Sequence, residues 1–198
     1  MSEPGPAETS RLTLASTSPQ RRAILEQLRI PFEVVAPDYG EDDPPDADAA
    51  ELVRRHAEGK ARSVHQPGGI TLGVDTTVVL DGRLYGKPSS RDDAARMLRE
   101  LSGRTHAVLS GLCLLGPGFE LVRHEVTDVT FRLLSPELLR TYLSSGEWEG
   151  RAGAYAIQGL GGRLVERIDG DYLNVVGLPG ALLVSLLERH APKLLETA

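Results

Sequence analysis

Apolar residues recur along this chain in two rhythms, and the switches between them lay out the elements. Leu12 and Leu14 alternate over 11–15 and predict a short strand. Ile24, Leu25 and Leu28 then fall on one face of a helix reaching about Leu28, with Ser18 suited to its N-cap and Pro19 to its first position. A second short strand is expected over 32–36. Prolines and acidic residues make 37–48 a loop. Helical spacing returns over 49–63, where Leu52, Val53, Ala57 and Ala61 share a side and Arg54, Arg55, Glu58, Lys60 and Arg62 supply the wetter surface.

The stretch 70–80 predicts a strand broken or turned near Asp75, and Asp81–Gly82 a tight turn. Over 90–101, Ser90 and Asp93 resemble a capping box. Ala94, Ala95, Leu98 and Leu101 repeat at helical intervals, and Gly103 follows as a terminator. A largely buried strand over 105–115 and an alternating strand over 120–132 (Val122, Val126, Val129, Phe131) form a hairpin pair around Gly116–Gly118. Ser135–Pro136 opens a helix to Tyr142 or Leu143. A polar loop follows, then short sheet segments at 154–157 and 163–168 around a glycine-rich bend, and a terminal helix over 179–190. The mixture predicts an α/β or α+β domain with a mixed sheet. Residues 1–10 read as a frayed tail and 11–198 as a single domain.

Composition narrows the function classes. The 198 residues suffice for one sizeable core and are few for two independent domains. With 22 basic and 28 acidic residues the formal charge is -6, which disfavours nonspecific binding to nucleic acid polymers while leaving room for a small phosphorylated ligand. Cys113 is the single cysteine, so an intramolecular disulfide and a cysteine-rich zinc site are excluded; its leucine neighbours make it a buried strand residue. There is no signal-peptide pattern and no apolar run long enough to span a bilayer, so a cytoplasmic, membrane-free protein is expected.

The candidate chemistry is scattered. In LASTSPQR, small hydroxyl residues and Arg21 meet a helix start, whose free amides suit an anion; an ordinary capped helix with a surface arginine reads the same way. Asp75 in GVDTTVV either binds a cation or orients a water, or simply caps a turn. Lys87 in LYGKP suits a phosphate or a solvent-facing turn; no Walker motif and no GxGxxG are present. Glu41 lies in an acidic loop that is either a solvated surface or, with Asp75, a divalent-ion site. Arg21, Lys60 and Lys87 could neutralise a phosphate chain. Gln158 in AYAIQG offers one donor and one acceptor to a base edge or to a buried turn. Asp169, Asp171 and Asn174 either line a pocket or shape a loop by side-chain-to-backbone bonds. The five histidines show no metal-binding spacing, and Ser110 lacks an esterase context.

Taken in order from about Arg11 to Leu187, the blocks LASTSPQRR, the Glu41 region, HAEGKA, GVDTTVV, LYGKP, MLRELSGRTHAVLSG, AGAYAIQG and GDYLNVVGLP resemble the Maf family of nucleoside triphosphate pyrophosphatases. The resemblance implies an α/β fold with an elongated mixed sheet flanked by helices and two lobes around a nucleotide cleft. It implies hydrolysis between the α and β phosphates to a nucleoside monophosphate and pyrophosphate, with Mg2+ or Mn2+ as cofactor. Ser16, Arg21 and Lys87 match its phosphate-handling positions. Glu41 and Asp75 match acidic catalytic or metal-site positions, and Lys60 matches a cationic position in the helix after the acidic loop. Thr76 and Gln158 match the branch acting on dTTP and UTP, with CTP and modified pyrimidine nucleotides as further expectations, rather than the 7-methyl-GTP branch. The partners implied are the nucleoside triphosphate and a second copy of the chain. The chain departs from the family pattern at Gln20, Gly40, Val74, Arg151 and Gly180. A noncatalytic nucleotide sensor, an interaction surface tied to septum regulation and a 7-methyl-GTP pyrophosphatase are the alternatives.

Overall fold

A computed structural model describes residues 11–41, 44 and 47–196, so the tail expected over 1–10 lies outside the described residues. Among the described residues one seven-stranded sheet organises the molecule, in the order β2 (Phe32–Val35), β1 (Leu12–Ala15), β3 (Ile70–Leu80), β5 (Thr105–Gly116), β6 (Phe119–Phe131), β7 (Val165–Asp169), with β4 (Arg83–Tyr85) paired to β3. The short strands β1 and β2 are joined by helix α1 (Pro19–Gln27). Strand β1 runs parallel to β2 and to β3. The remaining neighbours are antiparallel: β3 with β4 and with β5, β5 with β6, and β6 with β7. Helix α2 (Ala49–Val64) lies on the sheet. Helices α3 (Arg91–Leu101), α4 (Pro136–Ser145), α5 (Tyr172–Val176) and α6 (Gly180–His190) complete the α/β fold.

Two large hydrophobic cores share the long strands, beside a small cluster of Ala57, Ala61, Cys113 and Leu115 under α2. One gathers Leu12, Leu14, Ile24, Leu25, Leu72, Leu112, Leu183 and Leu187, together with Ile70, Val74 and Leu114. The other gathers Val78, Leu80, Leu98, Leu101, Val108, Val129, Phe131, Tyr142 and Tyr155. Strands β3 and β5 therefore feed both cores, and the functional groups collect where one core gives way to the other.

Two glycines let α2 rest against the bare sheet. A Cβ on Gly73 would stand 2.0 Å from the Ala57 carbonyl oxygen, and one on Gly111 would stand 2.0 Å from that of Val53. Real side chains cannot approach so closely, so backbone packs on backbone and fixes the height of α2 above β3 and β5. Lys60 rides on this helix and Asp75 on the strand beneath it.

The structure corrects four local expectations. Strand β3 runs unbroken through Asp75, which pairs in register with Gly111. The segment 154–157 is not a strand: Gly153 and Ala154 both have positive φ, +68° and +60°, which a ladder cannot accommodate. The side-chain-to-backbone reading of Asp171, by contrast, holds: its carboxylate accepts from the Leu173 amide at 2.8 Å and caps the five-residue α5. Ser18 holds the N-cap position of α1, yet its hydroxyl bonds Gln20 Oε1 rather than the backbone. The capping box at Ser90 holds in half: Ser90 Oγ accepts from the Asp93 amide, and Asp93 Oδ2 accepts from Ser89 rather than from Ser90.

Candidate active site

The turn after β1 builds the first wall of a cavity of about 440 Å³. Ser16 is buried, and its Oγ accepts from the Ser18 amide at 3.2 Å and from Arg21 Nη1 at 3.1 Å. Arg21 also donates from Nε to the Gly177 carbonyl at 3.0 Å and from Nη2 to Thr76 Oγ1 at 3.3 Å. Three of its five donors are thus spent on neutral groups, which holds the guanidinium in one pose and leaves its charge unneutralised at contact. Burial pulls the Arg21 pKa down, and the fields of Asp75 and Glu41 oppose that pull. Thr76 pairs in register with Ser110 across β3 and β5; their hydroxyls meet at 2.9 Å, and Ser110 is wholly buried.

A charge bridge forms beneath α2. Lys60 Nζ lies 2.6 Å from Glu41 Oε1 and 2.6 Å from Asp75 Oδ1. The Lys60 and Asp75 side chains are 9% and 15% exposed, whereas Glu41 is 44% exposed, so the Lys60–Asp75 arm is the desolvated one. Glu41, Lys60 and Thr76 line the cavity, and Asp75 is held against Lys60. Glu41 and Asp75 both reach Lys60, so an ammonium lies between their near oxygens.

Among the described residues no group of three His, Cys, Asp or Glu side chains could hold a metal ion. Two carboxylates still fit the protein share of a magnesium site, because that ion is usually held by one or two carboxylates with substrate phosphates and water completing its shell. Each carboxylate keeps a second oxygen outside the lysine bridge. The residues present therefore suit an ion that arrives with a polyphosphate rather than one resident in a closed protein cage.

The far wall comes from the second core. Val78, Val108 and Tyr155 line it with apolar surface, and exposed Lys87 and half-buried Arg151 bring charge. Tyr155 is anchored from behind by His106, with Nε2 and the phenol oxygen 3.0 Å apart. Burial pushes the His106 pKa down to about 4 and raises that of Tyr155. Gln158 is exposed and is not among the lining residues. The Asp171–Asn174 cluster does structural work: Asn174 donates to the Val108 carbonyl and to Thr127, both at 3.0 Å, and α5 hands the Gly177 carbonyl to Arg21. Cys113 is buried on β5 as expected, with its thiol pushed up to about 12 by burial.

Sequence reasoning set Ser110 aside and missed Tyr155 and the Gly177 carbonyl. A signal existed only for Ser110, since a hydroxyl facing Thr76 follows once the β3–β5 register is set. The departure at Gly180 has a local explanation, and nothing in the structure explains that at Gly40. Nothing lies within 4 Å of a Cβ built on Gly40, and a Cβ on Gly180 would collide with Leu173 Cδ1 at 2.5 Å, so Leu173 fills that space here.

Fold and site together define an α/β protein whose cleft, set between two cores, presents fixed cations and an acid–lysine–acid bridge to an anionic ligand. The chain belongs to the Maf family: the model for Maf-like protein matches residues 11–190. The dTTP/UTP pyrophosphatase of Nitratidesulfovibrio vulgaris is 48% identical over 89% of this chain and 86% of its own length. That of Symbiobacterium thermophilum is 49% identical over 89% of this chain and 92% of its own. That of Deinococcus radiodurans is 44% identical over 92% and 94%. In solved structures, the Ham1 protein of Staphylococcus aureus overlaps 61% of this chain and 71% of its own at 13% identity, with a TM-score of 0.42. No helix among the described residues is long and apolar enough to cross a membrane.

Proposed function

We propose that this protein is a nucleoside triphosphate pyrophosphatase acting on dTTP and UTP, with water attacking the α phosphorus and the α–β bridging bond breaking. The products are the nucleoside monophosphate and pyrophosphate. The observation that carries the reading is the Glu41–Lys60–Asp75 bridge, whose Glu41 and Lys60 line the cavity that Arg21 enters with an unneutralised charge, with Asp75 behind them against Lys60. The names of the similar proteins, all dTTP/UTP pyrophosphatases, supply the substrate class.

Asp75 is the residue suited to take the proton of the attacking water. It is mostly desolvated, and Lys60 holds it in one orientation. Arg21, fixed by Ser16, Thr76 and Gly177, would stabilise the charge that grows on the phosphoryl oxygens, because its donors are placed before the substrate arrives. Lys87 suits the departing phosphates. Glu41 and Asp75 would hold Mg2+ or Mn2+, which when bound supplies charge neutralisation to the triphosphate. Thr76 and Gln158 are the proposed base-selecting positions, Thr76 through its hold on Arg21 and Gln158 from the loop after Tyr155. In this reading residues 11–198 act as one unit with the substrate held between its two cores.

Product analysis tests the proposal. Incubation of the purified protein with UTP and magnesium should release UMP and pyrophosphate, with turnover lost on chelation. UDP and orthophosphate as first products would overturn the bond assignment, and absence of turnover on every triphosphate with tight binding retained would favour a sensor.

A further inference from the structure

Two of the four cations that line the cleft are already engaged. Arg21 spends three donors on Ser16, Thr76 and Gly177, and Lys60 is neutralised by Glu41 and Asp75. A triphosphate carries several negative charges along its length, so these two groups leave the distal phosphates short of partners. Arg151 stands out against that deficit. It lines the same cavity from the loop after α4, and its side chain takes part in no hydrogen bond or ion pair among the described residues. Its Nε is closed off from solvent and has no partner, a state that costs free energy unless a ligand relieves it.

The surroundings favour a ligand over an internal partner. Glu147, four residues earlier, also has a buried oxygen without a partner, yet no ion pair joins the two. Glu147 instead lies against Gly159, where an added Cβ would stand 2.4 Å from its Oε2. Glu149 lines the cavity as well and is exposed, so it is the one carboxylate on this loop that a phosphate would meet. The Arg151 loop is tied to the Lys87 turn, because the Gly153 amide donates to the Gly86 carbonyl at 3.1 Å. Lys87 likewise takes part in none of the ion pairs among the described residues. Two cations without an ion-pair partner among the described residues are therefore tied together through one backbone hydrogen bond, and both line the cavity that Ser16 and Arg21 also line.

We infer that Arg151 is a further substrate-binding residue, which with Lys87 holds the β and γ phosphates that leave together as pyrophosphate. The planar fork of a guanidinium matches two oxygens of a phosphate at once, where a lysine offers a point charge. This division of labour leaves Arg21 and Lys60 at the reacting phosphorus and puts the leaving group on the second core. It rests on the triphosphate reading above.

Titration calorimetry and steady-state kinetics on Arg151→Met, Arg151→Gln and Arg151→Lys test it, with inorganic tripolyphosphate, inorganic pyrophosphate and UMP as probes in magnesium buffer. Losing a charge-assisted contact should weaken tripolyphosphate and pyrophosphate binding roughly 10- to 100-fold in Arg151→Met and raise KM for UTP by a similar factor. UMP affinity should stay within about twofold, and Arg151→Lys should recover part of the loss. Unchanged tripolyphosphate binding in a folded Arg151→Met or Arg151→Gln protein would overturn the assignment. So would an equal loss for UMP, which would move Arg151 to the nucleotide end. A wild-type protein that turns over no triphosphate sinks the enzymatic reading alone, because the tripolyphosphate comparison still decides Arg151.

Discussion

His106 ties the stability of the protein to pH through the wall of its cleft. The imidazole is buried at the centre of an aromatic cluster: Phe131 and Tyr155 lie edge-on at 4.9 and 5.5 Å, Nε2 meets the Tyr155 hydroxyl, and Nδ1 has no partner. Protonation would place a charge there with its Nδ1 hydrogen unbonded, which is why burial takes the pKa from 6.5 to about 4. Because the folded value is depressed, the unfolded chain binds more protons between those two values. Stability is then fully present above pH 6.5, declines as pH falls, and is lost through pH 4. The full difference corresponds to about 3 kcal/mol at the acid end, a large share of the stability of a small domain. Urea unfolding followed by circular dichroism from pH 7.5 to pH 4 would measure it, beside His106→Gln, which keeps an amide for the Tyr155 hydroxyl without the ionisation. The variant should be less stable at pH 7.5 by about 1–2 kcal/mol, and its stability should fall less steeply below pH 6.5. Parallel curves for the two proteins would refute the reasoning.

Three other perturbations probe the site and its support. Asp75→Asn removes the charge opposite Lys60 while keeping shape, and should cut kcat roughly 100-fold or more; near-wild-type turnover in a folded protein would transfer the chemistry to Glu41. Gln158→Ala and Gln158→Glu should change kcat/KM for dTTP and UTP more than for GTP and dATP. An equal effect on all four, measured side by side, would return Gln158 to loop structure. Gly111→Ala forces a Cβ into the Val53 carbonyl and should cost about 3 kcal/mol. It should also depress activity by lifting Lys60 from Asp75, and thermal melts with kinetics at a permissive temperature would separate the two effects.

The sequence makes the periodic parts of this fold legible and conceals the parts set by distant partners. Helices α2 and α3 and strand β5 follow from spacing alone, since each buries an apolar face over ten or more residues, whereas β6, mostly exposed, follows from its alternation and the turn at Gly116–Gly118. Strand β3 reads as broken because Asp75, Thr76 and Thr77 interrupt its apolar run. It stays whole because Asp75 meets Lys60 and Thr76 meets Arg21 and Ser110, contacts with no local signature. The opposite error occurs after Gly153, where Tyr155 and Ile157 suggest a strand that the left-handed backbone at 153 and 154 forbids. In the site, Ser16, Arg21, Glu41, Lys60, Thr76 and Lys87 are recoverable as a set only through the family blocks, and the structure gathers them around one cavity. Arg21 reaching Gly177 spans 156 positions, and no window of the sequence carries that information.

Strands β3 and β5 passing through both hydrophobic cores have a consequence for how the molecule comes apart. Neither core can melt alone without tearing the same strands out of the other, so the two halves share one cooperative fate, and calorimetric and van't Hoff enthalpies should agree. The same strands act as a beam between the walls of the cleft. Any opening or narrowing around a nucleotide must flex that beam near Asp75 and Thr76 rather than swing on a loop. The residues at the bend are then the residues at the chemistry, and the stiffness of the sheet itself becomes a determinant of how fast product can leave.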